Sequence, residues 1–218
     1  MRNKLHIWGV VLALALSAGV AQADVGTYGM KGDPKAGEVK SALCQGCHGG
    51  NGNSEDATFP RLAGQYASYI TKQEMEFKSG ARANNDTMAG MAATVESVQD
   101  SLDIASYFHS QKMVDKPLVP VDSKLAKKGK KIFYNGIPEK NVYGCVNCHG
   151  ERGKGKAPNI SQFPVIGGQH RDYIIKELTD LRAGTRSNDP GGMMQGIARG
   201  LDDTEIKALA NYLSGLLP

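Results

Sequence analysis

Cys44-Gln45-Gly46-Cys47-His48 and Cys145-Val146-Asn147-Cys148-His149 decide the reading of this chain. Both spell C-x-x-C-H, the pattern that attaches a c-type haem. The spacing has a chemical reason. Each thiol adds to one haem vinyl group, so two Cys about one helical turn apart pin the porphyrin edge. The adjacent His then reaches the iron. Two such stretches imply two covalently held haem c groups, one on Cys44 and Cys47 and one on Cys145 and Cys148. His48 and His149 are the proximal iron ligands in this reading. A zinc ribbon would want a second C-x-x-C roughly 15–20 residues on, whereas Cys145 lies 101 residues after Cys44. A thioredoxin-like motif would sit beside a βαβ pattern, and no β-rich run flanks either pair.

The halves repeat well beyond these motifs. Phe59-Pro60-Arg61-Leu62-Ala63-Gly64-Gln65 and Tyr69-Ile70-Thr71-Lys72 return 104 positions later as Phe163-Pro164-Val165-Ile166-Gly167-Gly168-Gln169 and Tyr173-Ile174-Ile175-Lys176. Gly80 and Arg82 return as Gly184 and Arg186, and Tyr107 returns as Tyr212 at a shift of 105. A period this long is a duplicated domain, not a solenoid unit.

Each half carries three helical patterns. The first runs from about Lys35 to Cys47, with Asp33 as N-cap and Pro34 at the first helical position; its counterpart starts after Ser123. The second puts Tyr66, Ile70, Gln73 and Phe77 on one face, and Ile174, Leu178 and Leu181 in the other half. The third groups Val98, Leu102, Ala105 and Phe108, then Ile206, Leu209, Leu213 and Leu216. No segment alternates like a strand for long, so the fold class is all-α. Pro117 and Pro120 break any helix between the halves. The expected division is a signal peptide at 1–23, a domain at 24–110, a linker at 111–122 and a domain at 123–218. The second half has extra residues at 135–143, which read as a surface loop.

The signal peptide rests on Arg2 and Lys4, the apolar run from Ile7 to Val20 and the A-x-A site Ala21-Gln22-Ala23. That run is short of the about 20 apolar residues a membrane span needs. The mature chain would begin at Asp24 and be exported, to the periplasm in a bacterium, where haem is attached to C-x-x-C-H. All four Cys lie in the two motifs, so none remains for a structural disulfide. Each half has room for only a modest core. Haem then acts as core and cross-link together, and apo halves are expected to fold poorly.

A haem iron held by one His keeps an open face. Met on that face raises the reduction potential and suits electron transfer. Each half has a Met pair in the loop before its last helix, Met88 and Met91 in the first and Met193 and Met194 in the second. His109, at a helix end, reads as a partner of the helix C-terminus. His170 reads as a surface or propionate-side residue.

The duplicated C-x-x-C-H, the Phe-Pro-x-x-x-Gly-Gln-x-x-x-Tyr-Ile run in each half and the Asn-Asp…Met loops resemble the dihaem cytochromes c4 of the bacterial periplasm. The resemblance covers nearly all of the mature chain. It implies two tandem class I cytochrome c domains related by a pseudo-twofold axis, with haem propionates facing across the interface and His/Met iron in both domains. Small class I cytochromes c place the ligand Met seven residues before the apolar residue that opens the last helix. Met88 stands seven before Val95 and Met194 seven before Leu201, which makes them the expected ligands; Met91 and Met193 stay as the alternatives. Pro60 and Pro164 match the proline whose carbonyl accepts the proximal imidazole proton.

Charge separates the halves. Residues 24–110 carry 7 Lys and Arg against 11 Asp and Glu, a net of −4, and residues 111–218 carry 17 against 11, a net of +6. Such an asymmetry orients a protein approaching a charged partner. Much of the positive charge sits in Lys124, Lys127, Lys128, Lys130 and Lys131. Export and haem argue against a nucleic-acid partner. The reading is therefore an electron carrier with no catalytic residues, soluble or loosely membrane-associated. Its expected donor is a quinol-oxidising complex or a small redox protein, and its expected acceptor a terminal oxidase. The alternative is the electron-accepting haem subunit of a periplasmic dehydrogenase or flavocytochrome. Catalysis on a haem itself would need an exchangeable sixth site, against which the two Met loops argue.

Overall fold

The computed structural model describes residues 30–114, 116–156 and 163–216. The signal peptide and its cleavage site lie outside the described residues. Among those described there is no strand, and the one β-bridge joins Ile137 to Val142. No helix among them is long and apolar enough to cross a membrane.

The first half opens with α1 (Pro34–Lys40) and α2 (Ala42–His48). Asp33 caps α1 through Lys35 N, as its sequence position implies. One continuous helix was expected here; Ser41 breaks it, because its Oγ donates to the Glu38 carbonyl and accepts from Gln45 Nε2. Side-chain bonds of this kind compete with the helical ladder. Then come α3 (Ala67–Ser79), α4 (Asp86–Ala93) and α5 (Val98–Ser110). A capping box of Ser97 and Asp100 starts α5.

The second half repeats this order with α6 (Ser123–Asn135), α7 (Val146–His149), α8 (Arg171–Ala183), α9 (Met193–Arg199) and α10 (Asp203–Ser214). The helix expected after Ser123 starts at Ser123 itself, capped by Asp122. All five lysines of its cluster are exposed. In both halves the Met segment is a short helix, α4 or α9, where a loop was expected. The extra segment at 135–143 is no plain surface loop. Ile137 and Val142 are buried in the core, and Lys140 pairs with Asp202 and Glu205. The insert thus ties the start of α10 to the end of α6.

Each half packs its first helix across its last at a glycine. A Cβ on Gly37 would lie 1.9 Å from the Asp103 carbonyl oxygen, and one on Gly129 would lie 2.0 Å from that of Ala208. Only a bare Cα lets α1 cross α5, and α6 cross α10, this closely. Gly129→Ala is expected to lower stability by about 1–3 kcal/mol, read as a lower melting temperature of the holoprotein. An unchanged melting temperature would show that the crossing can open without cost.

Two apolar cores follow, one per half. Ile70, Ile104, Ala105 and Phe108 centre the first, and Ile132, Phe133, Ile206, Leu209 and Leu213 the second. Phe108 and Phe133 are fully buried, a contribution of about 1.5–3 kcal/mol each.

Candidate functional site

The two cores do not close. A cavity of about 310 Å³ runs between them, lined by both halves. Cys44, Cys47 and His48 line it from α2, and Cys145, Cys148 and His149 from α7 and the residue before it. Met88 and Met91 line it from α4 and Met194 from α9, while Met193 points away and is 45% exposed. Asn85 caps α4 by accepting from Met88 N, and Asp189 holds α9 through Gln195.

Both imidazoles are fixed from behind. His48 Nδ1 donates to the Pro60 carbonyl at 2.9 Å and His149 Nδ1 to that of Pro164 at 3.0 Å. Each bond fixes the tautomer and leaves Nε2 with a free lone pair. Burial pushes both imidazoles below their ordinary pKa, against the opposing pull of those carbonyls, so they are neutral ligand-type bases. Burial also pushes the thiols of Cys44 and Cys145 up to about 11. Neither is readily the free thiolate that disulfide exchange requires. Among the described residues no three His, Cys, Asp or Glu converge on a metal-sized site.

A haem c fits this donor set. Each half offers two thiols one turn apart, an imidazole nitrogen and a thioether sulfur around one apolar space. Leu43, one residue before Cys44, and Tyr143, two residues before Cys145, line the cavity yet stay 64% and 74% exposed. Each half therefore has an edge of the cavity at the surface.

The halves meet through paired bonds that obey the pseudo-twofold. Gln65 Nε2 donates to the Val165 carbonyl at 2.8 Å and Gln65 Oε1 accepts from Val165 N at 3.0 Å. Gln169, its repeat partner, does the same to Arg61, at 3.0 and 2.9 Å. Arg82 reaches the Tyr173 hydroxyl at 3.4 Å and Arg186 that of Tyr69 at 3.0 Å. Asn84 donates to Glu177 and Asp180, and Asn188 to Gln73 and Glu76. This is the isologous pattern of a two-fold dimer, built within one chain.

The symmetry is not complete. Glu177 stands where the first half has Gln73. It is buried, and it pairs with Arg82 at 2.9 Å and Arg186 at 2.8 Å. Burial alone would raise its carboxyl, but Arg82, Arg186 and Lys176 together hold it below the usual value.

The sequence reading missed these interface roles, although the signal was present. Gln65, Tyr69 and Arg82 recur at a shift of 104, and polar residues kept in register point to a shared surface. Two histidines need correction. His170 is buried, not at the surface, because its Nε2 bonds the Ser54 carbonyl and hydroxyl of the other half. His109 bonds the Gln65 carbonyl instead of its own helix end. Neither lines the cavity.

Comparison with known proteins identifies the family. The cytochrome c family model matches residues 126–217. A cytochrome c4 of Thiocapsa roseopersicina is 43% identical over 85% of this chain and 93% of its own. A thiosulfate dehydrogenase electron acceptor of Stutzerimonas stutzeri is 34% identical over 94% of this chain and 92% of its own. The crystal structure of reduced recombinant cytochrome c4 from Pseudomonas stutzeri superposes with a TM-score of 0.78 at 39% identity, over 85% of this chain and 100% of that one. A duplicated fold with paired thiols, neutral imidazoles and thioethers about one cavity, matched along most of its length, has one account: the chain belongs to the cytochrome c4 family, two tandem class I cytochrome c domains that carry two covalent haem c groups and serve redox partners as an electron carrier, not an enzyme.

Proposed function

We propose that this carrier works in the periplasm, with domains at 24–110 and 123–218 joined by a linker at 111–122. Cys44 and Cys47 hold the first haem, and Cys145 and Cys148 the second. His48 and Met88 are the axial ligands of the first iron, His149 and Met194 those of the second. Electrons come from a quinol-oxidising complex or a small redox protein and leave to a terminal oxidase. The signal-peptide pattern at 1–23 supports the location.

The ligand assignment is supported by Met88 and Met194 lining the same cavity as imidazoles whose Nδ1 atoms are already bonded; Met91 lines it too, and the seven-residue spacing to Val95 favours Met88. A haem supplies reversible one-electron chemistry at iron. The chain orients the imidazoles through Pro60 and Pro164, and its apolar walls exclude water. It leaves an edge in each half near Leu43 and Tyr143, so that an electron enters at one domain and leaves at the other. Docking at such edges is expected to be weak and fast.

The test is an optical spectrum of the holoprotein. Two His/Met sites give a red sulfur-to-iron band sized for two haems in the ferric form and no carbon monoxide response in the ferrous form. Met88→Ala is expected to remove about half of that band and admit carbon monoxide at one haem; so is Met194→Ala. A band left whole in Met88→Ala but halved in Met91→Ala would move the assignment to Met91.

A second reading is supported by the 34% identical thiosulfate dehydrogenase electron acceptor. In it the chain accepts electrons as the haem subunit of a dehydrogenase. It requires co-purification of a stoichiometric partner chain, and isolation of the carrier alone counts against it.

A further inference from the structure

The two halves differ inside their cores at three matched positions. Thr71, Glu74 and Ser101 in the first half stand where the second has Ile175, Leu178 and Ile206. The second set is the ordinary apolar packing of α8 against α10. The first set puts a carboxyl group between α3 and α5. Glu74 is only 6% exposed and lines the cavity, as Leu178 does from the other side. Its Oε2 accepts from Ser101 Oγ at 2.9 Å, and Ser101 is itself fully buried. Its Oε1 has no partner, and neither does Thr71 Oγ1.

Charge compensation around Glu74 is weak. Lys78, one turn on along α3, favours the ionised form, but its Nζ is bonded to the Val95 carbonyl. Asp100 on α5 disfavours it and is tied up by Lys40 of α1, which also binds Asp103. From α2 the ionisable neighbour is Cys44. Burial dominates and pushes the carboxyl up to about 7. The group is poised where a modest change in local charge moves its proton.

Such a change comes with the first haem, on the reading of the site given above. A haem held by Cys44 and Cys47 would supply, in the cavity that Glu74 lines, an iron whose positive charge falls by one on reduction. A carboxylate is then less favoured, and its proton affinity rises. We infer that Glu74 is a proton acceptor built into the first haem site alone, coupling reduction there to proton uptake. One electron passes from the redox donor to the iron, and one proton passes from solvent to the Glu74 carboxylate. Oxidation by the acceptor releases both. The coupling operates between the proton affinities of the two redox states, so the first potential falls as pH rises through that window. In the second half the matched position is Leu178, and the buried carboxyl beside it, Glu177, is held as a carboxylate by Arg82 and Arg186.

The experiment is a spectroelectrochemical titration of the holoprotein between about pH 5 and pH 9. The wild-type chain is expected to show one potential that falls with pH. Glu74→Gln, which keeps the shape without the titration, is expected to abolish that fall. Glu74→Leu, the second half's own residue, is expected to do the same. A redox-difference infrared spectrum should show a protonated-carboxyl stretch that both variants lose. A wild-type potential independent of pH, or a slope kept in Glu74→Gln, overturns the inference. Haem content is measured on the same samples. Fewer than two haems per chain would instead overturn the site assignment on which the inference rests.

Discussion

Replacing both Cys145 and Cys148 by alanine is expected to leave one haem per chain and to unfold most of the second half. The second core is built around the cavity: Ile174, Leu201, Leu209 and Leu213 all face it. Leaving half of its about 310 Å³ empty costs about 4 kcal/mol at ~24 cal/mol per Å³. A domain of about 90 residues has roughly 5 kcal/mol to lose at the low end. The loss of the covalent tie adds to that cost. Haem content per chain should halve, and the helical circular-dichroism signal should fall by up to about half. A variant with one haem and full helicity would show that the apolar residues alone hold the second domain. The matched pair Cys44→Ala and Cys47→Ala probes the first.

Glu177→Ala is the second large effect. Removing one partner of a buried ion pair costs about 3–5 kcal/mol, because the remaining charge stays buried. Here two guanidinium groups lose their shared carboxylate. Gln73, Tyr69 and Tyr173 remain as neutral partners, so the lower end, about 3 kcal/mol, is expected. Chemical denaturation at neutral pH measures it. Glu177→Gln should recover part of the loss by restoring hydrogen bonds without charge. The pH dependence has a definite sign. The Glu177 carboxyl is held below its free value, so its contribution is present above that value and fades as acid protonates the folded state. Wild-type stability should fall on acidification, and Glu177→Ala should show less of that fall. Equal acid sensitivity in both would mean that other carboxylates control it.

Much of the cofactor site was legible in the chain because covalent chemistry fixes spacing. C-x-x-C-H needs its residues within one turn, and the 104-residue shift revealed the second copy of everything that follows. The glycine crossings, by contrast, depend on which helix of a half returns onto the first, and no local pattern carries that. The insert at 135–143 looked like an unremarkable loop because Ile137 and Val142 are only two apolar residues among polar ones. Their burial comes from α10 arriving from 60 residues away. Met88 and Met194 were read as loop residues because α4 and α9 are short and rich in Gly and Ala, too weak in periodicity to register as helices. Glu177 was hidden for a different reason. A charged residue in an amphipathic helix reads as solvent-facing until the second half of the interface covers it.

The reciprocal clasp of Gln65 and Gln169 has a further meaning. In an assembly of two identical subunits, any change on a two-fold face is made twice, so a residue and its image can never differ. A single polypeptide removes that restriction while keeping the geometry. A tether of about a dozen residues also holds the faces together at an effective concentration on the order of millimolar. The glutamines preserve the old symmetry, and around them its images have drifted apart: Gln73 against Glu177, Arg61 against Val165, Glu74 against Leu178. Fusion therefore allows one architecture to surround its two haem sites with different residues.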